Sequence, residues 1–248
     1  MTDVAAELRA YWDADAATYD DSPGHHPQSS AELAMWAGSL RALLPPPPAK
    51  VLDAGAGTGF LSLVLARQGY RVTALEMSPG MLARLRTKAE AAGLPIDAVE
   101  GDASAPGRGG FDAVVERHLL WTLPSPRGAL DAWRDAAPTG RLVLVESVWG
   151  DGAGPIEQLR HRAMQLVRTL RRDAPEHHAA YGDELLAHLP LAAGASPEHL
   201  LAMVESSTWG SAQLVRLRDV EWATRRALPS AIERAIGVAP RFAILAGT

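Results

Sequence analysis

The chain has no cysteine, which excludes disulfides, thiolate nucleophiles and cysteine-ligated metal centres. That absence is in keeping with a reducing compartment. No 18 apolar residues run together anywhere, so no membrane span is expected. An excess of positive charge is also missing. Lys and Arg number 24 against 29 Asp and Glu, a formal charge of -5 with a pI near 5.9, which disfavours a nucleic-acid partner. The first twenty residues are acidic and broken by charges, unlike a leader peptide. Internal repeats are absent, and the only low-complexity tract is Pro45-Pro46-Pro47-Pro48. What remains is the balance of a globular protein, 47% hydrophobic and 21% charged. The expectation is a single cytoplasmic domain over residues 1–248, monomeric or homodimeric.

The polarity pattern divides this domain into four stretches. Residues 1–48 read as a helical cap, interrupted by the Pro/Gly/Ser-rich segment Asp20–Ser30 and ended by the proline run. Residues 49–150 alternate strand and helix. Short apolar runs at 50–55, 71–76, 95–103, 111–118 and 141–147 read as strands, and 58–69, 78–93 and 125–138 as helices. Ser78-Pro79 and Ser125-Pro126 supply N-caps with proline in the first turn, and Gly69 and Gly93 supply C-terminal stops. Alternation at this spacing implies right-handed crossovers and a mainly parallel sheet. Residues 151–210 read as a helical insertion, with helices at 156–174, 175–189 and 196–207, and residues 211–248 as closing strands at 211–220 and 240–248.

The most informative stretch is Val51-Leu52-Asp53-Ala54-Gly55-Ala56-Gly57-Thr58-Gly59, where the first strand gives way to the first helix. Glycines there let the backbone turn sharply and approach a ligand at the carboxyl edge of the sheet. A dinucleotide loop would need its third glycine where Phe60 stands, which disfavours a nicotinamide-dependent reductase. The acid followed by Gly-x-Gly-x-Gly resembles instead the signature of the class I S-adenosylmethionine-dependent methyltransferases, in their small-molecule, UbiE-like branch. The resemblance continues at Glu76 with Met77-Ser78-Pro79-Gly80-Met81-Leu82, at Gly101-Asp102-Ala103, through Phe111–Pro126 and into Ala137–Glu146. It is weaker at Tyr11–Asp20 and at Phe242–Gly247.

That resemblance implies a Rossmann-like, doubly wound α/β fold with a seven-stranded, mainly parallel sheet, and S-adenosylmethionine as cofactor. Cofactor contacts are expected from Asp53, Gly55, Ala56, Gly57, Thr58, Gly59, Glu76, Met77, Asp102, Ala103 and Glu116, with Glu76 on the ribose hydroxyls and Asp102 on the adenine amino group. The implied reaction is methyl transfer to O, N or C of a small molecule. A reaction that uses the same cofactor without methylating is the alternative, and a non-catalytic module is argued against by the intact loop and acids. Candidate catalytic residues are Arg117, which could bind a carboxylate, His118, a possible general base, and Tyr19 in the cap. Glu116 and Glu146 have no adjacent acidic pair, and Glu176-His177-His178 lacks the spacing of a zinc helix, so no metal is expected. Trp121 reads as a packing residue, His25-His26 as an exposed loop pair, and Arg160, Arg162, Arg168, Arg171 and Arg172 as a solvated face.

Overall fold

The computed structural model describes residues 3–22, 24–171 and 181–247. Its cap consists of α1 (Val4–Asp15) and α2 (Ser30–Leu43). The core follows as β1 (Lys50–Ala54), α3 (Phe60–Arg67), β2 (Arg71–Glu76), α4 (Pro79–Ala91), β3 (Ile96–Glu100), β4 (Ala113–Arg117), α5 (Pro126–Ala136) and β5 (Arg141–Ser147). The remainder comprises α6 (Pro155–Arg171), α7 (Asp183–Leu186), α8 (Pro197–Glu205), β6 (Ala212–Arg216), α9 (Arg218–Ala227), α10 (Ala231–Ile236) and β7 (Arg241–Gly247). Arg172 and Glu176-His177-His178 lie outside the described residues, as does much of the helix expected over 175–189.

Seven strands form one sheet in the order β3-β2-β1-β4-β5-β7-β6. The first five are parallel, and β7 runs antiparallel to both β5 and β6. Chain direction reverses its march across the sheet between β1 and β4, so the crevice outside their carboxyl ends is where an open α/β sheet binds ligand. One face of the sheet buries Leu130, Trp133 and Val204 from α5 and α8. The other buries Trp36, Leu65 and Val220 from α2, α3 and α9. Each strand of the centre is covered on both sides, which is why β1, β4 and β5 read as continuous apolar runs and not as alternating ones.

Local chemistry explains most boundaries. Ser78 accepts the amide of Met81 and Pro79 opens α4, as their order in the sequence suggests. Ser125 stands at the equivalent place before α5, but its side chain accepts no capping bond, and proline alone starts that helix. The closing segment departs further from expectation. Its first strand stops at Arg216, and two helices stand between β6 and β7. α9 begins where Leu217 turns inward. Val220 and Ala223 are buried one helical turn apart, with Asp219 and Glu221 in its first turn and Arg225 and Arg226 in its last. Ser230 and Glu233 form a reciprocal capping box that launches α10.

Candidate active site

The glycine loop is held by β2 and by its own glycines. The amides of Gly55 and Ala56 both donate to the Leu75 carbonyl, at 2.9 and 3.0 Å. Gly55 has φ +67°, which strains any larger residue, and a Cβ there would stand 2.6 Å from the end of the Leu119 side chain, which would have to move. Gly57, φ +54°, has nothing within 4 Å of where its Cβ would be, and it lines the main cleft. Asp53, at the end of β1, accepts a 2.6 Å hydrogen bond from Ser62 of α3. Its burial pushes that carboxyl up to about 7 in spite of the serine bond.

Glu76 is buried at the end of β2 and borders the cleft. One of its oxygens accepts the Gly57 amide at 2.9 Å and the other the Ser78 amide at 2.8 Å. Burial raises its pKa, and backbone donors from Ser78, Gly57 and Met77 oppose the rise. Two amides on a carboxylate leave lone pairs free on both oxygens. Asp102 stands on the same cleft with its Oδ1 accepting from the Ser104 amide and hydroxyl, each at 2.8 Å. Met77, Ala103, Leu119 and Leu123 give the cleft its apolar walls.

The cap makes the roof. Leu8 and Trp12 of α1, one helical turn apart, and Tyr19 behind them all line the cleft. Asp13 fixes α1 in place by accepting the Gly80 amide at 2.6 Å and the Ser78 hydroxyl at 2.9 Å, at the positive end of α4. Asp20 ties the loop after α1 to Thr58 at 2.6 Å and to Lys88 at 2.8 Å. Trp12 packs edge-on against Tyr11, Tyr19, Trp121 and Tyr181, and Trp121 against Trp149. Cap, fourth-strand loop and insertion therefore meet in one aromatic cluster. Trp121 packs there, as its sequence context suggests.

Beneath the roof lies a buried charged group. Arg117 is enclosed, 4.1 Å over the Phe60 ring, and donates at 2.5 Å to the Gly24 carbonyl. Desolvation lowers its pKa, and Tyr19, Glu146, Glu32 and Glu116 counter that. His118 has φ +57°, the one non-glycine residue in the left-handed region among the described residues. Its Nε2 lies 3.0 Å from the Ser147 hydroxyl. Burial, then the charges of Arg117, Arg241 and His25, hold its pKa well below the usual 6.5. It is a neutral imidazole at pH 7, where an unperturbed histidine would be a ready proton acceptor.

The structure thus brings Gly55, Gly57, Glu76, Met77, Asp102, Ala103, Arg117, His118 and Tyr19 to one cleft. Asp53, Ala56 and Thr58 line a small adjoining recess that Tyr19 and Arg117 also border. Gly59, φ +94°, stands at the start of α3, packed so that a Cβ would meet Leu85 at 2.8 Å. Glu116 faces away from the cleft. Neighbours on a strand point to opposite faces, and with Arg117 turned to the cleft, Glu116 is fully buried and accepts the Leu119 amide at 2.8 Å. It shapes the loop that carries His118 and Leu119. His25 departs from the exposed-pair reading, since it stacks on Tyr19 with ring centroids 3.9 Å apart, whereas His26 is exposed. Leu8, Leu119 and Ser147 were not singled out from the sequence. Leu8 carried a signal, its helical spacing from Trp12, and Ser147 carried none.

The family model of the methyltransferase domain matches residues 52–144, the stretch that builds the loop, the three acids and the His118 turn. Over that stretch the chain is similar to the methyltransferase domain, in keeping with the resemblance carried by its glycine loop and acids. It is 33% identical over 145 residues to a ubiquinone biosynthesis O-methyltransferase of Xanthomonas axonopodis pv. citri, covering 56% of this chain and 57% of that protein. To a demethylmenaquinone methyltransferase of Thermus thermophilus it is 40% identical over 105 residues, 40% of this chain and 47% of the relative. The chain thus spans about half the length of the curated relatives it matches. Over its whole length it superposes on a solved structure described as the DhpI-SAM-HEP complex with TM-score 0.62 at 20% identity, covering 100% of both chains. That likeness establishes the Rossmann-like fold. The residues present fit the cofactor of this family: a bare glycine at the cleft, an acid after β2 with lone pairs to spare, a second acid after β3, and apolar walls between them. No described helix is long and apolar enough to cross a membrane.

Proposed function

We propose that the protein is a methyltransferase that moves the methyl group of S-adenosylmethionine to a small-molecule acceptor at O, N or C. The observation that carries this reading is the convergence of Gly57, Glu76, Asp102 and the His118 turn on one cleft roofed by α1. S-adenosylmethionine supplies a methyl group already activated on a sulfonium, so the protein's part is to bind, orient and exclude water. Glu76 would hold the ribose hydroxyls and Asp102 the adenine amino group, with Met77, Ala103 and Leu123 against the flat faces. Arg117 and Tyr19 stand where a carboxylate or phenolate would be paired.

His118 acts here as an orienting group. With Nε2 engaged by Ser147, Nδ1 takes the complementary role toward the acceptor molecule, accepting a hydrogen bond where Nε2–H donates to the serine and donating one where Nε2 accepts. Burial first, and then Arg117 and Arg241, make a standing imidazolium costly, so the ring holds a hydrogen bond and does not store a proton. On the acceptor side a cavity of about 780 Å³ opens between α6, α9 and the ends of β5 and β7. Gly24 and Val148 line its inner wall, and the Arg117–Gly24 bond stands between it and the cleft. Its volume is in the range that takes a small organic molecule.

Calorimetric titration with S-adenosylhomocysteine, with NADH as control, tests the cofactor. A micromolar dissociation constant is expected, weakened by roughly a hundredfold in Glu76→Ala, since two charge-assisted hydrogen bonds are lost. A folded protein that ignores S-adenosylhomocysteine overturns the reading. Product analysis tests the reaction: S-adenosylhomocysteine marks transfer, and methylthioadenosine would mark internal displacement.

A further inference from the structure

α6 is amphipathic the wrong way round. Glu157, Gln158, His161 and Met164 face the 780 Å³ cavity. The opposite face carries Ile156, Leu159, Leu166 and Leu170, which are 65%, 68%, 60% and 75% exposed. Their spacing of three, seven and four residues keeps them on one stripe over nearly the whole helix. A monomeric soluble protein rarely leaves so much contiguous apolar surface uncovered. The charge on this helix is as unusual as its polarity. In a chain of net charge -5, α6 carries Arg160, Arg162, Arg168 and Arg171 against the single Glu157. Arg160 and Arg162 are exposed and stand on the two borders between the stripe and the cavity face, where both also edge the cavity.

We infer that this face of α6 docks on an anionic lipid surface. An apolar stripe edged by arginines suits the headgroup boundary, because the stripe enters the acyl region while the guanidinium groups reach anionic headgroups. A second copy of the chain fits less well, since pairing α6 with itself would bring two cationic helices side by side. Docked in this way, α6 lies between the membrane and the cavity that its other face lines. The inference rests on α6 alone and not on the reaction proposed above.

Vesicle flotation of the full chain tests it, comparing phosphatidylcholine alone with phosphatidylcholine containing phosphatidylglycerol. Binding is expected on the anionic vesicles, at least about tenfold above neutral ones, and is expected to fall at high salt. Leu159→Ser/Leu166→Ser should abolish it while leaving the thermal melt of the protein unchanged, since both side chains are solvent-exposed. Arg160→Gln/Arg162→Gln should weaken it roughly thirtyfold, and this pair decides the matter if the leucine variant does not fold. Equal binding to neutral vesicles, no binding to either, or flotation untouched by the arginine pair overturns the inference. Light scattering that shows a dimer, made monomeric by the leucine substitutions, assigns the face to a second copy and also overturns it.

Discussion

The core between Lys50 and Ser147 and the decorations around it solve different problems. In the core every element is fixed by its neighbours. Parallel strands lock register residue by residue, helices cover both faces, and the ligand groups sit on strand ends that cannot shift without breaking the sheet. Whereas α2 packs into the core, α1, the loop after it and the insertion are held by more varied contacts: the Asp13 caps on α4, the Asp20 ties and the aromatic cluster around Trp12. The core therefore places the cofactor-binding groups, and the decorations decide how the cleft is closed. A lid built of separable contacts can open for exchange, whereas a sheet edge cannot.

Substitutions in the two regions should differ accordingly. The largest effect is expected for Gly55→Val. It forces a β-branched residue to φ +67° and drives its side chain into Leu119, so S-adenosylhomocysteine affinity should fall by a hundredfold or more by calorimetry. Trp12→Ala removes the ring at the centre of the roof. A loss of about 1–3 kcal/mol in stability by denaturant titration is expected, with a smaller, roughly tenfold, loss in ligand affinity. If Trp12→Ala weakens the ligand as much as Gly55→Val does, the division between a placing core and a closing cap is wrong.

A third test uses pH. Burial raises Asp53 to about 7 and Glu116 to about 8, above their unfolded values. In the folded protein these carboxyls keep protons that the unfolded chain releases, so their contribution to stability is present below about pH 4 and is lost as pH rises toward 8. His118, depressed by burial and the nearby arginines, works in the opposite sense and loses its contribution as pH falls below its unfolded value. The unsubstituted protein should therefore lose melting temperature between pH 5 and 8, and Glu116→Gln should flatten that decline, as thermal melts across the range would read. An unchanged slope would mean that Glu116 stays ionised in the fold. The smallest contrast concerns two serines in equivalent positions. Ser78→Ala should cost about 1 kcal/mol of stability, and Ser125→Ala should be close to neutral, because only Ser78 accepts a capping amide.

Legibility followed the same division. The strands at 71–76 and 141–147 and the helix opened by Ser78-Pro79 stand where their residues indicate, because local periodicity and capping chemistry suffice to define them. The helices α9 and α10 carried local signals too, the Val220/Ala223 spacing and the Ser230/Glu233 box, and these were obscured by the strand-like run just before them. Glu116 and Arg117 were both legible as site candidates, but which of them faces the cleft depends on the pleat. His118 shows the limit most clearly. Its type and place were apparent, yet its depressed pKa comes from burial in the packed fold and from the charges of Arg117, Arg241 and His25, the second of these more than a hundred residues away, and its left-handed backbone has no signal in the local sequence.

The sequence by itself determined the order of elements from β1 to β5, the glycine turn and the acids at the ends of the strands, since each depends on residues within one or two turns of chain. The tertiary structure alone decided three things: which carboxylates meet the cleft, that the cap and insertion share one aromatic roof, and that α6 turns its apolar face outward. Those outcomes depend on which surfaces the packed sheet leaves available to each side chain. A one-dimensional pattern shows that a helix has two faces, and only the position of its neighbours settles which face is covered.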